Sequence, residues 1–264
     1  MKASRLPLYH ETYDARALCD ARLIGDHAPH YERLADRFGG PVLELGAGTA
    51  RISKAVARAG GDATALEISD EMIAAGSPPG EPLPPGFRWL KADARFIPHD
   101  RAYGFVMAPF RMLQELPGED DVLQVLASVI EVLDEDGVLC FDMVDVEGMP
   151  SLKRNDPTHQ RMTDVVHPAT GEKVQVTACE RIAEPALRRY RERWRFELVG
   201  AGGRVRRTED HWQVHRWYSR HDIAAMLSHV GYRGVLWYGR FDDMAAGRPR
   251  RPGRDQIWLC QRNL

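Results

Sequence analysis

One segment constrains this chain more than any other: Val42-Leu43-Glu44-Leu45-Gly46-Ala47-Gly48-Thr49-Ala50-Arg51. Pro41 to Leu45 is a short apolar run stopped by Gly46, as a buried parallel strand would be. Ile52 to Ala59 has helical spacing and ends at Gly60-Gly61, a natural C-cap. A glycine turn between strand and helix lets a ligand touch backbone amides at the carboxyl edge of a sheet. The alternation continues with Ala63–Ile68 as a strand, a helix capped by Ser69-Asp70-Glu71 through Ala75, and a Pro/Gly-rich loop from Gly76 to Gly86. Phe87–Lys91 and Gly104–Ala108 then read as strands, Asp120–Leu133 as an amphipathic helix, and Val138–Val144 as an apolar strand entered through Asp134–Gly137. Alternating strands and helices predict an α/β fold, a parallel sheet with helices on both faces.

The pattern changes after Asp145. Lys173–Ile182, Arg188–Leu198 and Arg204–Tyr218 alternate in residue character, and Gly200-Ala201-Gly202-Gly203 separates the last two, as in an antiparallel meander. Ser219–Val230 reads as a capped helix, Val235–Tyr238 as a strand and Gln256–Cys260 as the closing strand. Residues 9–38 read as helical around a break at Gly25–Pro29. The expected organisation is one domain over 1–264: a helical lid (1–40), a ligand-binding core (41–145), an antiparallel insertion (146–218) and closing elements (219–264).

Two details of the glycine loop separate candidate ligands. A dinucleotide fingerprint wants a small residue at its sixth position, where this chain has Arg51. Glu44, two residues before the first glycine, would oppose a pyrophosphate. A cofactor without phosphate and with a cationic amino-acid end suits the loop better, and S-adenosylmethionine is such a molecule.

On these residues the chain resembles the class I S-adenosylmethionine-dependent methyltransferases, well over Pro41 to Asp145 and more loosely beyond. The resemblance implies a Rossmann-like, seven-stranded, mostly parallel sheet with helices on both faces, an antiparallel β insertion and an N-terminal helical lid. Glu44, Gly46, Ala47 and Gly48 match the family's cofactor loop, with Ala50 where many members have glycine. Glu67, with Ile68 and Met72 after it, falls where the family's acidic residue binds the ribose hydroxyls, and a carboxylate can accept two hydrogen bonds from a cis-diol. Asp93-Ala94 resembles the adenine-contacting pair, and Ala108 ends the strand beside the cofactor's methionine part. The likeness is greatest to small-molecule methyltransferases of amines, sugars and natural products, whose lid would bring Tyr9 and Tyr13 over the cofactor.

Methyl transfer needs alignment and exclusion of water, and a base only if the nucleophile arrives protonated. Relatives often carry a histidine where this chain has Glu115, which makes Glu115 a candidate ammonium binder or base. His211 is a second candidate; it shares a strand face with Gln213, His215 and Trp217. Arg189, Arg191, Arg193 and Arg195 form a period-two stripe that reads as a solvated face or as a surface for an anionic group.

Charge is divided along the chain. Residues 1–150 hold 14 Lys+Arg against 25 Asp+Glu, and residues 151–264 hold 22 against 13, within a net charge of −2. That balance argues against a nucleic-acid partner. Cys19, Cys140, Cys179 and Cys260 form no CxxC pair, and no metal site is expected. The start lacks the apolar run of a signal peptide, and no stretch approaches a membrane span, so a cytoplasmic protein is expected. The expected function is methyl transfer from S-adenosylmethionine to N or O of a small metabolite, with an anionic group on the acceptor an option and a homodimer compatible. The alternatives are a carbon or sulfur acceptor, a non-catalytic module that keeps the fold, and an NAD(P)-dependent oxidoreductase.

Overall fold

The computed structural model describes residues 6–17, 27–157, 160–245, 247 and 253–262. In chain order the elements are α1 (Leu8–Glu11), α2 (13–17), α3 (Ala28–Phe38), β1 (Pro41–Leu45), α4 (Arg51–Arg58), β2 (Asp62–Glu67), α5 (Asp70–Ala75), β3 (Phe87–Lys91), β4 (Tyr103–Ala108), α6 (Glu119–Val132) and β5 (Leu133–Val144). There follow β6 (Gln160–Val166), β7 (Lys173–Glu184), β8 (Arg189–Val199), β9 (Val205–Arg216), α7 (Arg220–Val230), β10 (Tyr232–Tyr238), α8 (Phe241–Ala245) and β11 (Asp255–Arg262). They form two compact units, Met1–Asp26 with Ser151–His215, and His27–Pro150 with Arg216–Leu264.

The larger unit is built on a seven-stranded sheet of order β10-β11-β5-β4-β1-β2-β3. β1 to β5 run parallel, whereas β11 is antiparallel to β5 and β10 antiparallel to β11. Period-two side chains sort the core into two layers. Leu43, Leu45, Val106, Leu139 and Phe141 pack with Leu126, Ile223 and Leu227 of α6 and α7. Val42, Phe105, Met107, Val138 and Cys140 face Tyr31, Leu34, Ile52 and Val56 of α3 and α4. Alternation also puts Glu44 and Asp142 on the α3–α4 side, two acids aimed into an apolar layer. The sheet order reverses between β1 and β4, and the crevice at their carboxyl ends is where open α/β sheets bind ligands.

Local signals hold at several boundaries. Ser69 caps α5 by accepting from the Met72 amide, and Ser219 and Asp222 form a reciprocal capping box on α7. One boundary differs: β5 begins at Leu133, not Val138, because buried Leu133 pairs with Tyr103 while Asp134–Asp136 stay exposed before pairing resumes at Val138.

The smaller unit is a four-stranded sheet of order β6-β7-β8-β9, with β6–β7 and β7–β8 antiparallel. β6 is absent from the sequence reading, since Gln160-Arg161-Met162-Thr163-Asp164 is polar apart from Met162 and an edge strand needs little apolar alternation. Trp217 lies beyond the end of β9, so it does not continue the strand face of His211 and His215. Of the helix expected over 9–38, residues 18–26 lie outside the described residues; α1, α2 and α3 are separate helices.

Candidate functional site

The turn after β1 is left-handed at three positions. Gly46 and Gly48 both have φ +57°, and Ala50, which precedes α4, has φ +59°. A Cβ on Gly46 would stand 2.6 Å from the Met112 Cγ, so only glycine fits there. Ala50 occupies the left-handed position despite its Cβ, and its buried methyl packs with Ala47, Ala65, Phe87 and Trp89. The Ala47 amide donates to the Leu66 carbonyl at 2.9 Å, tying the loop to β2.

Two carboxylates flank the loop. Glu67, at the carboxyl end of β2, accepts from the amides of Gly48 (2.7 Å), Ile68 (2.9 Å) and Ser69 (2.9 Å). Three backbone donors fix the side chain, and its oxygens keep further lone pairs. Glu44 is buried and accepts from the Ser53 amide at 2.9 Å and the Ser53 hydroxyl at 2.5 Å, which binds it to the first turns of α4. Burial raises the Glu44 carboxyl to about 7, against the opposing pull of Ser53 and Arg51.

The other cofactor candidates gather on the same edge. Met72 and Ala94 are buried, and Ala108 is fully enclosed at the end of β4. Ile68 and Phe96 are large apolar side chains left 61% and 67% exposed, just beyond β2 and β3. Asp93 accepts from the Arg95 amide at 2.9 Å and from its guanidinium at 2.6 Å, while Arg95 also reaches Asp121 at 2.6 Å. The Arg95 bonds hold the Asp93 carboxyl below the usual range against the opposing effect of burial. Arg51 lays its guanidinium over the Phe110 ring, 5.3 Å from the centroid.

Glu115 follows the 3₁₀ turn Met112–Gln114 and is exposed. Its neighbour Gln114 is the buried member of that pair: it accepts from the Val144 amide at 2.6 Å and donates to the Arg216 carbonyl at 2.8 Å. Tyr13 and His211 belong to the smaller unit. There the His211 ring stacks on Tyr9 at 3.7 Å, Tyr9 meets Tyr13 edge-on, and Arg16 lies over Tyr9, Tyr13 and Trp194. Burial, with the charges of Arg16 and His10, lowers the His211 imidazole to about 4, so it is neutral at pH 7. The arginine stripe is matched by acids of its own sheet. Arg189 and Arg191 pair with Glu184, Arg193 with Glu180 and Asp210, and Arg195 with Asp210.

A polar cluster that the sequence reading missed lies under the β4 turn. Asp142, 1% exposed, accepts from the Tyr31 hydroxyl at 2.7 Å and the Phe110 amide at 2.9 Å. His27 stands between Asp142 (3.8 Å) and Asp255 (4.0 Å). Burial opposes ionisation of Asp142, but His27, Tyr31 and Arg111 outweigh it and keep the carboxyl below its usual value. Burial instead raises Asp255. The available signal was an acid inside the otherwise apolar run Val138–Val144.

Among the described residues no cluster of His, Cys, Asp and Glu could hold a metal ion, and no helix is long and apolar enough to cross a membrane. Residues 42–137 match the model of a family described as a methyltransferase domain. A Bacillus subtilis (strain 168) protein named as a methyltransferase, YqeM, is 30% identical over 105 residues, 39% of this chain and 42% of that protein. The match thus spans less than half the length of that relative. Among solved structures, an S-adenosylmethionine-dependent methyltransferase from Clostridium acetobutylicum ATCC 824 superposes with a TM-score of 0.74 at 15% identity, covering 96% of this chain and 99% of the other. The sugar N-methyltransferase KedS8 from Streptoalloteichus sp ATCC 53650 gives 0.64 at 15% identity, covering 100% and 96%. Over residues 42–137 the chain is similar to a methyltransferase domain, and its Rossmann-like fold is that of solved S-adenosylmethionine-dependent methyltransferases.

Proposed function

We propose that this protein transfers a methyl group from S-adenosylmethionine to the nitrogen of a small metabolite of the amino-sugar or related amine class. The observation that carries the reading is the pair of acids at the glycine loop. Glu67 is fixed by three amides at the carboxyl end of β2, and Glu44 is buried behind the first turn of α4. Arg51 at the sixth position of the loop and Glu44 beneath it are unlike a dinucleotide site, whereas the Glu67 carboxylate suits a ribose diol and Glu44 a cationic amino-acid end. The family's phosphate-free cofactor therefore fits the residues present, and a dinucleotide does not.

In this reading Glu67 holds the ribose hydroxyls, the Gly46–Gly48 backbone approaches the amino-acid end, and Ile68, Met72 and the Asp93–Ala94 turn line the adenine. When bound, the cofactor supplies an electrophilic methyl on a sulfonium whose charge disappears in an in-line displacement. The protein's part is to align the acceptor and exclude water.

Nitrogen is favoured over oxygen for a chemical reason. An alcohol must lose its proton near neutral pH, yet His211 is a weak base at about 4 and Glu115 lies exposed. A neutral amine attacks without a protein base. The acid-matched arginines lend no support to an anionic group on the acceptor. KedS8, named a sugar N-methyltransferase, is the comparison that points to amino sugars.

Calorimetry with S-adenosylhomocysteine and NADH tests the cofactor, and mass spectrometry of an amino-sugar and alcohol panel tests the acceptor. Binding of the homocysteine product and a 14-dalton gain (about the mass of one CH₂) on an amine are expected. NADH binding without product binding would overturn the cofactor reading, and turnover of alcohols alone would overturn the acceptor.

A further inference from the structure

The segment after β4 is held in an unusual backbone conformation. Phe110 (φ +55°) and Arg111 (φ +68°) are consecutive side-chain-bearing residues in the left-handed region, which such residues rarely enter and which persists only where surrounding contacts over-determine it. The contacts here can be named. The Phe110 amide donates to Asp142 at 2.9 Å, and Asp142 is itself anchored by the Tyr31 hydroxyl and faced by His27. Downstream, the Gln114 amide donates to the Arg111 carbonyl at 2.8 Å, and the Gln114 side chain is clamped between Val144 and Arg216.

This turn bears directly on the glycine loop at two points. The Met112 side chain fills the space that a Cβ on Gly46 would need. The Phe110 ring lies under the Arg51 guanidinium at the start of α4. A shift of the turn would therefore move both ends of the segment from Gly46 to Arg51, which the proposed reading sets against the cofactor.

We propose that Asp142 is a positioning residue for the cofactor loop, acting through the left-handed Phe110–Arg111 turn. It touches neither cofactor nor acceptor; it holds the Phe110 amide, which seats Met112 against Gly46 and Phe110 beneath Arg51. The inference rests on the S-adenosylmethionine reading only for the ligand used as its reporter. Tyr31 provides the internal control, because its hydroxyl donates to the same carboxylate from the α3 side and not to the turn.

The test compares Asp142→Ala, Asp142→Asn and Tyr31→Phe by two measurements. The first is the Kd of S-adenosylhomocysteine. Asp142→Ala is expected to raise it about tenfold, the loss of roughly one hydrogen bond's worth of ordering. Asp142→Asn, which keeps one carbonyl acceptor, is expected to raise it about threefold, and Tyr31→Phe to leave it within about twofold although its melting temperature falls. The second is hydrogen exchange of the 46–51 amides in ligand-free protein, which should quicken in both Asp142 variants and not in Tyr31→Phe. Should the alanine variant fail to fold, the asparagine and phenylalanine variants decide by the same contrast. Equal effects of Tyr31→Phe and the Asp142 variants, or Asp142 variants with native Kd and native exchange, would overturn the proposal. A wild-type protein that binds no S-adenosylhomocysteine would sink the cofactor reading instead, and the exchange contrast would still judge Asp142.

Discussion

Replacing Glu44 with glutamine should make the protein more stable at alkaline pH and abolish one component of its pH dependence. Glu44 is buried on the α3–α4 face, where burial raises its carboxyl from 4.5 to about 7. The folded chain therefore binds this proton more tightly than the unfolded chain does. The stability conferred by that proton is full below 4.5, declines as pH rises, and is gone above about 7. At about 1.4 kcal/mol per pH unit the loss comes to roughly 3 kcal/mol at pH 8. Glutamine mimics the protonated acid: it keeps a carbonyl acceptor for the Ser53 amide and hydroxyl, which lie at 2.9 and 2.5 Å, and it cannot ionise. The variant should match wild type near pH 5 and melt about 5–10 °C higher near pH 8, on the scale of a few degrees per kcal/mol for a chain of this size. Thermal unfolding followed by circular dichroism from pH 5 to 8 measures the divergence. Parallel profiles, or a glutamine variant less stable at pH 8, would refute the assignment of that cost to Glu44. A buried acid that costs stability at neutral pH is the kind of group retained for binding, since stabilising replacements at such positions are easily found.

Gly46→Ala should destabilise the larger unit by about 1–3 kcal/mol, because the new methyl meets Met112 and the backbone stays at φ +57°; urea titration checks this, and adding Met112→Ala should recover part of the loss. Glu67→Ala should weaken S-adenosylhomocysteine binding by about 1–3 kcal/mol, read by calorimetry, and unchanged affinity would remove Glu67 from the site. Ala50→Gly sets relief of a left-handed alanine, worth about 1 kcal/mol, against a lost buried methyl worth about 0.8 kcal/mol. Its stability should stay within about 1 kcal/mol of wild type, and a larger gain or loss in urea would show that one contribution had been misjudged.

The glycine loop and the strands around it were readable because their signals are local. The apolar run of β1 ending at Gly46, and Ser69 and Ser219 as caps, specify β1, α5 and α7 with almost no tertiary information. Glu67 was singled out from its place at the end of the second strand, where the family resemblance implies a ribose-binding acid. The boundaries at Leu133 and Trp217 were not readable, since pairing partners set where a strand starts or stops. The role of Asp142 was hidden for the same reason: its partners Tyr31 and Phe110 lie 111 and 32 residues away in the chain. The arginine stripe, read locally as a free cationic face, is matched once β7 and β9 bring Glu180, Glu184 and Asp210 alongside.

By itself, then, the sequence determined the alternation of elements, the chemistry of the loop and the kind of cofactor that loop suits. These depend on residue type and on spacings within one strand–turn–helix unit. Only the tertiary structure decided which charges are paired, which acids are buried and how the left-handed turn at Phe110 meets Gly46. Burial and ion pairing are properties of neighbours distant in the chain, and the sheet order places those neighbours.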